Sequence, residues 1–168
     1  VERSVDSMKK IVKTAEDYGV TYCVEVVNRY EGCILNTAAE AMDYIKRVDA
    51  DNIGVLLDTY HMNIEEDSFR DAILTAGDKL LGLHTGDNNR RCPGRGHIDF
   101  DEIFKALAEV NFKGRIVSEL FVAKGGEVGR DIYVWRNLEK DLSEAALDAE
   151  ARHLLEYEKN LLTKYGMN

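Results

Sequence analysis

The sequence predicts an α/β fold: the C-terminal half of a (β/α)8 TIM barrel, with four parallel strand-helix units and a long C-terminal helix. Short apolar segments alternate four times with segments of helical periodicity, an order that is typical of a parallel sheet. Each apolar segment carries a metal-binding type of side chain near its C-terminal end, where the catalytic groups of such barrels lie. The chain has 168 residues. A whole barrel needs about 250, so we expect a single domain over residues 1–168 that lacks the first four strand-helix units.

The elements follow from local patterns. Apolar side chains recur at helical spacing over residues 5–18, with Ser4 as the expected N-cap and Gly19 as the C-terminal stop. Strands are predicted over residues 21–27, 53–58, 80–84 and 115–120. Further helices are predicted over residues 37–48, 68–76, 100–110 and about 142–165.

Two glycine-rich segments lie outside these elements. Residues 124–130 and the pair Gly94 and Gly96 have neither the Walker spacing nor a complete dinucleotide fingerprint. We therefore expect mobile loops at the active site or at an interface, and no phosphate site. The aromatic residues Tyr133 and Trp135 are interpreted as exposed-loop or interface side chains, with core packing against the last helix as the equal alternative.

Composition limits the class of protein. The net charge of −9 argues against nucleic acid and anionic membranes as partners, because both attract basic surfaces. The three cysteines have no paired metal-ligand spacing, which indicates reduced thiols in a cytoplasmic protein. Cys23, in a predicted strand, is expected to be a small core residue. No apolar run approaches the roughly 18 residues of a membrane helix.

Four side chains at equivalent strand ends form the strongest candidate site: Glu25, Asp58, His84 and Glu119. Taken alone, Asp58 would more often cap a helix and His84 would more often be structural. The two glutamates interrupt apolar segments, where an ionised carboxylate without a partner costs several kcal/mol. Because strand ends converge in a barrel, the four together predict one metal site. Three carboxylates and one imidazole suit Mn²⁺, Mg²⁺ or Co²⁺ better than a structural zinc.

Charged residues in the loops are ambiguous from sequence. Glu31 and Arg90 would most often be solvated surface charges. His61 follows Asp58 by three residues, near enough for one to bind metal and the other substrate. Arg90 clusters with Arg91 and Arg95, an arrangement that either binds a polyol or balances the acidic surface.

Four motifs in order carry a family resemblance. They are EVVNRYE at residues 25–31, LDTYHMNIEE at 57–66, HTGDNNR at 84–90 and PGRGHIDF at 93–100. Together they closely resemble the ketose 3-epimerases, the D-tagatose/D-psicose (D-allulose) 3-epimerase family of xylose-isomerase-like barrels. The resemblance covers about residues 1–137. It is specific because several motifs occur in the family's order and mutual spacing.

The resemblance implies a ligand set and a substrate site. It implies that Glu25, Asp58, His84 and Glu119 bind a divalent metal, with Mn²⁺ expected and Co²⁺ or Mg²⁺ as alternatives. The first three oxygens of the ketose would be held by Glu31, His61 and Arg90. One departure is Leu120, which follows Glu119 where these enzymes commonly have proline.

The resemblance also implies the reaction. A hydrogen next to a ketone is a weak acid, so a metal-stabilised enediolate is needed for its removal. Glu25 and Glu119 would form the acid/base pair that removes the C3 proton and returns one on the other face. The expected substrates are D-fructose and D-psicose, and D-tagatose and D-sorbose.

Alternatives remain open at this level. The chain is either an epimerase, another sugar isomerase of the same barrel superfamily, or a catalytically incomplete metal-binding half-barrel that assembles with a partner. A half-barrel has two unpaired strand edges. We therefore expect a homo-oligomer, either a dimer or a tetramer.

Overall fold

The computed structural model describes residues 1–167, which contain one sheet of four parallel strands. The strands are β1 (Tyr22–Glu25), β2 (Ile53–Asp58), β3 (Leu80–Thr85) and β4 (Arg115–Ser118). Their order in the sheet follows their order in the chain, and each neighbouring pair is parallel. The predicted half-barrel of parallel strand-helix units is confirmed.

Helices precede, separate and follow the strands. They are α1 (Glu2–Asp17), α2 (Ala38–Val48), α3 (Thr59–Glu65), α4 (Phe69–Ala76), α5 (Phe100–Glu109), α6 (Gly126–Asp131) and α7 (Glu144–Lys164). The five predicted helices correspond to α1, α2, α4, α5 and α7. Two short helices, α3 and α6, were not predicted. The interpretation of residues 124–130 as a loop throughout was wrong, because helix α6 begins within them.

Helix caps explain most of the helix starts. Thr37, Ser68 and Asp99 are the N-caps of α2, α4 and α5, and each side chain accepts a hydrogen bond from a backbone N–H three residues later. The predicted cap of α1 was wrong. That helix starts three residues earlier than expected, with Val1 in the cap position, and Ser4 instead shares a hydrogen bond with the Tyr44 hydroxyl at 2.8 Å.

The core lies between the helices and the two central strands. Val55 and Leu57 of β2, Leu83 of β3 and the helical residues Ile73 and Phe104 are all fully buried. Strands β1 and β4 each pair on one side only among the described residues, and their residues are more exposed. The expectation that Cys23 is a core residue was therefore wrong: it is exposed on β1.

Part of the surface is apolar. Tyr133 and Trp135 are 65% and 68% exposed, and their rings lie beside each other with centroids 5.9 Å apart and planes tilted by 49°. The alternative that they pack into the core is excluded.

Within residues 1–167, no helix has both the length and the apolar character needed to cross a membrane.

Candidate metal centre

Four strand ends bring the predicted metal ligands to one edge of the sheet. Glu25 and Asp58 are the last residues of β1 and β2. His84 is the register partner of Asp58 on β3. Glu119 follows β4, and its backbone N–H donates to the carbonyl of Thr85 at 2.9 Å. The parallel arrangement therefore places all four at the carboxyl end of the sheet, as in barrel enzymes.

The four side chains form a compact cluster. One ligand atom from each lies within 4.8 Å of those of the other three. His84 is central: its Nδ1 is 3.0 Å from Oε1 of Glu25, 3.6 Å from Oε2 of Glu119 and 4.0 Å from Oδ2 of Asp58. The structure thus brings together the residues that the sequence predicted.

The chemistry of the cluster fits a divalent cation. Burial raises the pKa of Glu25, and the charges of Glu119 and Asp58 raise it further, while His84 opposes the rise. Arg90 compensates part of this negative charge, since its Nη1 lies 2.9 Å from Oδ2 of Asp58 and 3.2 Å from Oε2 of Glu119. The three carboxylates carry more negative charge than the one guanidinium of Arg90 can neutralise. Oxygen donors with one imidazole suit Mn²⁺, Mg²⁺ or Co²⁺.

Asp58 serves the cluster and the following helix at once. It is fully buried. Its Oδ1 accepts hydrogen bonds from the backbone N–H groups of Tyr60 at 2.7 Å and His61 at 3.4 Å, which caps α3. Its Oδ2 faces Arg90 and the cluster. The helix-cap and metal-ligand interpretations of this residue are therefore compatible.

A hydroxyl ties the ends of the two central strands together. The Oγ1 of Thr59 donates to the carbonyl of Gly86 at 2.6 Å and accepts from its N–H at 3.0 Å. A Cβ at Gly86 would lie 2.9 Å from the backbone oxygen of Glu119. The absence of a side chain at Gly86 thus permits close packing beside Glu119.

The three predicted sugar-binding residues lie beside the cluster. His61 and Arg90 are both buried, and Nη2 of Arg90 is 3.1 Å from Nε2 of His61. Glu31 approaches from the loop after β1, with Oε1 3.9 Å from Nδ1 of His61. The guanidinium of Arg90 also stacks over the ring of Tyr60 at 4.1 Å. These contacts bring Glu31, His61 and Arg90 into one group.

Burial and charge keep His61 neutral. Burial, reinforced by the positive charge of Arg90, lowers the pKa of His61 to about 4. A neutral imidazole carries a lone pair as well as an N–H, so it can both accept and donate hydrogen bonds at neutral pH.

Asn28 organises this group, and its role was missed from sequence. Its buried side chain donates from Nδ2 to Oε1 of Glu31 at 2.8 Å, and the same Nδ2 lies 2.8 Å from Nδ1 of His61. Its Oδ1 accepts from the backbone N–H groups of Tyr30 at 2.9 Å and Glu31 at 3.2 Å. The signal was its place between Glu25 and Glu31 in the first motif, which gave no indication of its partners.

Asp87 anchors the loop that carries Arg90. Its carboxylate is fully buried and accepts hydrogen bonds from the backbone N–H groups of Gly94 at 3.0 Å, Gly96 at 2.7 Å and Ile98 at 3.1 Å. The backbone N–H of Arg90 donates to the Asp87 carbonyl at 2.8 Å. One buried carboxylate thus fixes the loop conformation beside the cluster.

The other two arginines of this segment have structural partners. Arg91 pairs with Glu139 at 2.7 Å, and Arg95 pairs with Glu150 of α7 at 2.9 Å. These contacts support the interpretation that Arg91 and Arg95 balance acidic charge. Of the three arginines, Arg90 is the one directed at the cluster.

Comparison with known proteins identifies the fold family. The sequence profile of the xylose isomerase-like TIM barrel family matches residues 1–156. The chain belongs to this family. Among members of known structure, it superposes on a crystal structure of D-psicose 3-epimerase with D-tagatose from Clostridium cellulolyticum with a TM-score of 0.93 at 49% identity. That match covers 96% of this chain and 56% of the other.

Sequence relatives within the xylose isomerase-like family are epimerases by name. The D-psicose 3-epimerase of Ruminiclostridium cellulolyticum is 49% identical over 161 residues, which is 96% of this chain and 55% of that protein. The 3-dehydro-D-guloside 4-epimerase of Escherichia coli is 37% identical over 114 residues, 68% of this chain and 44% of that protein. The resemblance to ketose 3-epimerases is confirmed, and the chain spans about half the length of these relatives.

Proposed function

We propose that this chain forms the metal-binding half of a ketose 3-epimerase, an isomerase that inverts carbon 3 of ketohexoses. The observation that carries the proposal is the cluster of four side chains with atoms within 4.8 Å of one another. Glu25 ends the edge strand β1 and Glu119 directly follows the edge strand β4, while Asp58 and His84 lie on the strands between them. Two carboxylates that reach one centre from opposite edges are suited to proton exchange at one carbon.

The donor set would hold the cofactor. Glu25, Asp58, His84 and Glu119 would bind one divalent ion, for which Mn²⁺ is our proposal and Co²⁺ or Mg²⁺ the alternatives. When bound, such an ion acts as a Lewis acid that polarises the ketose carbonyl and makes the neighbouring C–H more acidic.

The protein's own residues would orient the sugar and move the proton. Glu31 accepts hydrogen bonds from sugar hydroxyls, and Arg90 donates hydrogen bonds to sugar oxygens. Neutral His61 either accepts or donates a hydrogen bond. One of Glu25 and Glu119 removes the C3 proton as a carboxylate. The other, as a carboxylic acid, delivers a proton to the opposite face, which inverts the centre. We propose the pairs D-fructose/D-psicose and D-tagatose/D-sorbose as substrates.

A second candidate is an incomplete half-barrel that needs a partner. Strands β1 and β4 are unpaired on their outer sides among residues 1–167, and such edges favour association with other strands. A homo-oligomer, dimer or tetramer, would cover them. The 4-epimerase relative also keeps open a different reaction on the same scaffold. A cytoplasmic location stays a prediction.

Product analysis tests the proposal. The purified chain is incubated with D-fructose and Mn²⁺, and the sugars are separated by chromatography. We expect D-psicose from the parent, none from Glu119→Gln, and the parental yield from Glu127→Gln, which changes an exposed glutamate of α6. An aldose product would instead show a different isomerase. A chain that binds Mn²⁺ but converts no sugar would be an incomplete half-barrel. Light scattering would then give the size of the assembly at which turnover is absent.

A further inference from the structure

The C-terminal helix places a buried carboxylate behind the metal centre. Glu158 of α7 is 8% exposed. Its Oε1 accepts hydrogen bonds from Oγ1 of Thr85 at 2.5 Å and from Oγ of Ser118 at 3.2 Å. Thr85 directly follows His84, and Ser118 directly precedes Glu119. The carboxylate therefore contacts the immediate neighbours of two predicted ligands.

The contacts join two strands at one level. Thr85 and Ser118 are register partners on β3 and β4, and their hydroxyls are 2.8 Å apart. Successive side chains of a strand point to opposite faces of the sheet. Thr85 and Ser118 thus face the helical layer, while His84 faces the cluster with Glu119. One carboxylate oxygen bridges the backs of both strands.

Such a carboxylate is an unusual element of a helix-sheet interface. Its burial is unfavourable unless hydrogen bonds compensate, and within residues 1–167 Glu158 forms no ion pair. Burial raises the pKa of Glu158, and the bonds from Thr85 and Ser118 oppose that rise. Packing by itself does not require a carboxylate at this position, because an apolar side chain would fill the space, as the buried Leu161 does nearby on α7.

We propose that Glu158 is a positioning residue for the metal centre. By accepting from both hydroxyls it fixes the end of β4 against β3, and so fixes Glu119 relative to His84. The edge strand β4 needs this support because it is four residues long and pairs on one side among the described residues. The inference rests on the proposed metal site.

The test measures Mn²⁺ affinity of the chain by isothermal titration calorimetry, with the electron paramagnetic resonance spectrum of bound Mn²⁺ as a second readout. Misplacing a ligand through its supporting shell costs about 10-fold or more in affinity, so we expect Glu158→Leu to bind Mn²⁺ about 10-fold more weakly with an altered spectrum. Glu158→Gln retains an acceptor oxygen for both hydroxyls and is expected to stay within about 3-fold of the parent.

A matched control separates positioning from packing. Leu161→Ala loosens the same helix without touching the hydroxyls, so it is expected to lower the melting temperature and leave Mn²⁺ affinity unchanged. Should Glu158→Leu fail to fold, the double variant Thr85→Val, Ser118→Ala removes the two donors from the other side. It is expected to show the same loss of affinity.

The outcomes distinguish this inference from the proposed function. Equal Mn²⁺ affinities in the parent and Glu158→Leu, or equal losses in Glu158→Leu and Leu161→Ala, would overturn the positioning role and leave the metal site intact. A parent chain that binds no Mn²⁺ would overturn both proposals.

Discussion

Nδ2 of Asn28 lies 2.8 Å from Nδ1 of His61. The same amide contacts Glu31, so one buried side chain connects the loop after β1 to helix α3. Nη2 of Arg90 lies 3.1 Å from the other ring nitrogen of His61, so the imidazole is held between Asn28 and Arg90. The relationship sets the positions of two predicted sugar-binding groups without contact between Asn28 and the metal-ligand cluster.

Replacing Asn28 with alanine should weaken sugar binding and spare metal binding. The change leaves Nδ1 of His61 and two backbone N–H groups without their partner, which lowers the free energy of unfolding by about 1–3 kcal/mol. We expect a higher KM for D-psicose and an Mn²⁺ affinity within about 2-fold of the parent, since no ligand is touched. Steady-state kinetics measures KM, and calorimetry measures the Mn²⁺ affinity.

The control for this variant is Asn52→Ala. Asn52 donates to the backbone carbonyl of Val12 at 2.8 Å and directly precedes β2, so it lies at the opposite end of that strand from Asp58. The Asn52→Ala variant should be less stable than the parent and should have the parental KM. An unchanged KM in Asn28→Ala would contradict the positioning role of the amide.

Acid should destabilise the protein through His61. Its pKa in the folded state is about 4, below the ordinary value of 6.5, so the unfolded chain binds this proton first as pH falls. The stabilisation is complete above pH 6.5 and is lost as pH falls toward 4. Each pKa unit corresponds to about 1.4 kcal/mol, so the loss over the whole shift is on the order of 3 kcal/mol.

Urea unfolding at pH 7 and at pH 4.5 measures this loss. The difference in unfolding free energy between the two pH values should be smaller in His61→Gln than in the parent, because the variant has no proton to take up. His97→Gln, at an exposed position, should retain the parental difference. An equal pH dependence in His61→Gln and the parent would exclude His61 as the source.

Alanine at Gly96 should disrupt the loop that carries Arg90. An added Cβ would overlap the side-chain oxygens of Asn88 and Asp87, so the hydrogen bonds that hold the loop must shift. Overpacking of this kind costs about 1–3 kcal/mol of stability, and the displaced Arg90 should raise KM. Thermal unfolding and kinetics measure both effects.

Gly129→Ala provides the comparison. Its Cβ would meet its nearest atoms at 3.8 Å and 4.0 Å, which is ordinary contact. Alanine also favours helix α6 by about 1 kcal/mol over glycine. A Gly96→Ala protein as stable and active as Gly129→Ala would show that the loop tolerates the change.

The central strands and the clustering of four strand-end side chains could be predicted because local patterns determine them. Residues 53–58 were predicted without error, since β2 is paired on both sides and is apolar throughout except for Asp58. The outer strands were predicted too long. Strand β1 ends at Glu25 and β4 at Ser118, because edge strands pair on one side and the chain turns away where the site begins.

The supporting residues could not be predicted because their partners are distant in sequence. Asn28 and His61 are 33 residues apart, and Glu158 and Thr85 are 73 apart. No local periodicity records such contacts. Helix α3 was missed for a related reason, because Asp58 was assigned to the strand end as a ligand. Its Oδ1 also accepts the backbone N–H of Tyr60 and so starts the helix.

Hydrogen exchange at carbon 3 tests the central claim most directly. The chain is incubated with Mn²⁺ and D-fructose in D₂O, and proton NMR follows each carbon-bound hydrogen of the sugar. Proton transfer through Glu25 and Glu119 predicts deuterium at C3 of D-psicose and of recovered D-fructose, with C4 and C5 unlabelled, and no D-psicose with Glu119→Gln. Formation of D-psicose without deuterium at C3, or label confined to C1, would contradict the account.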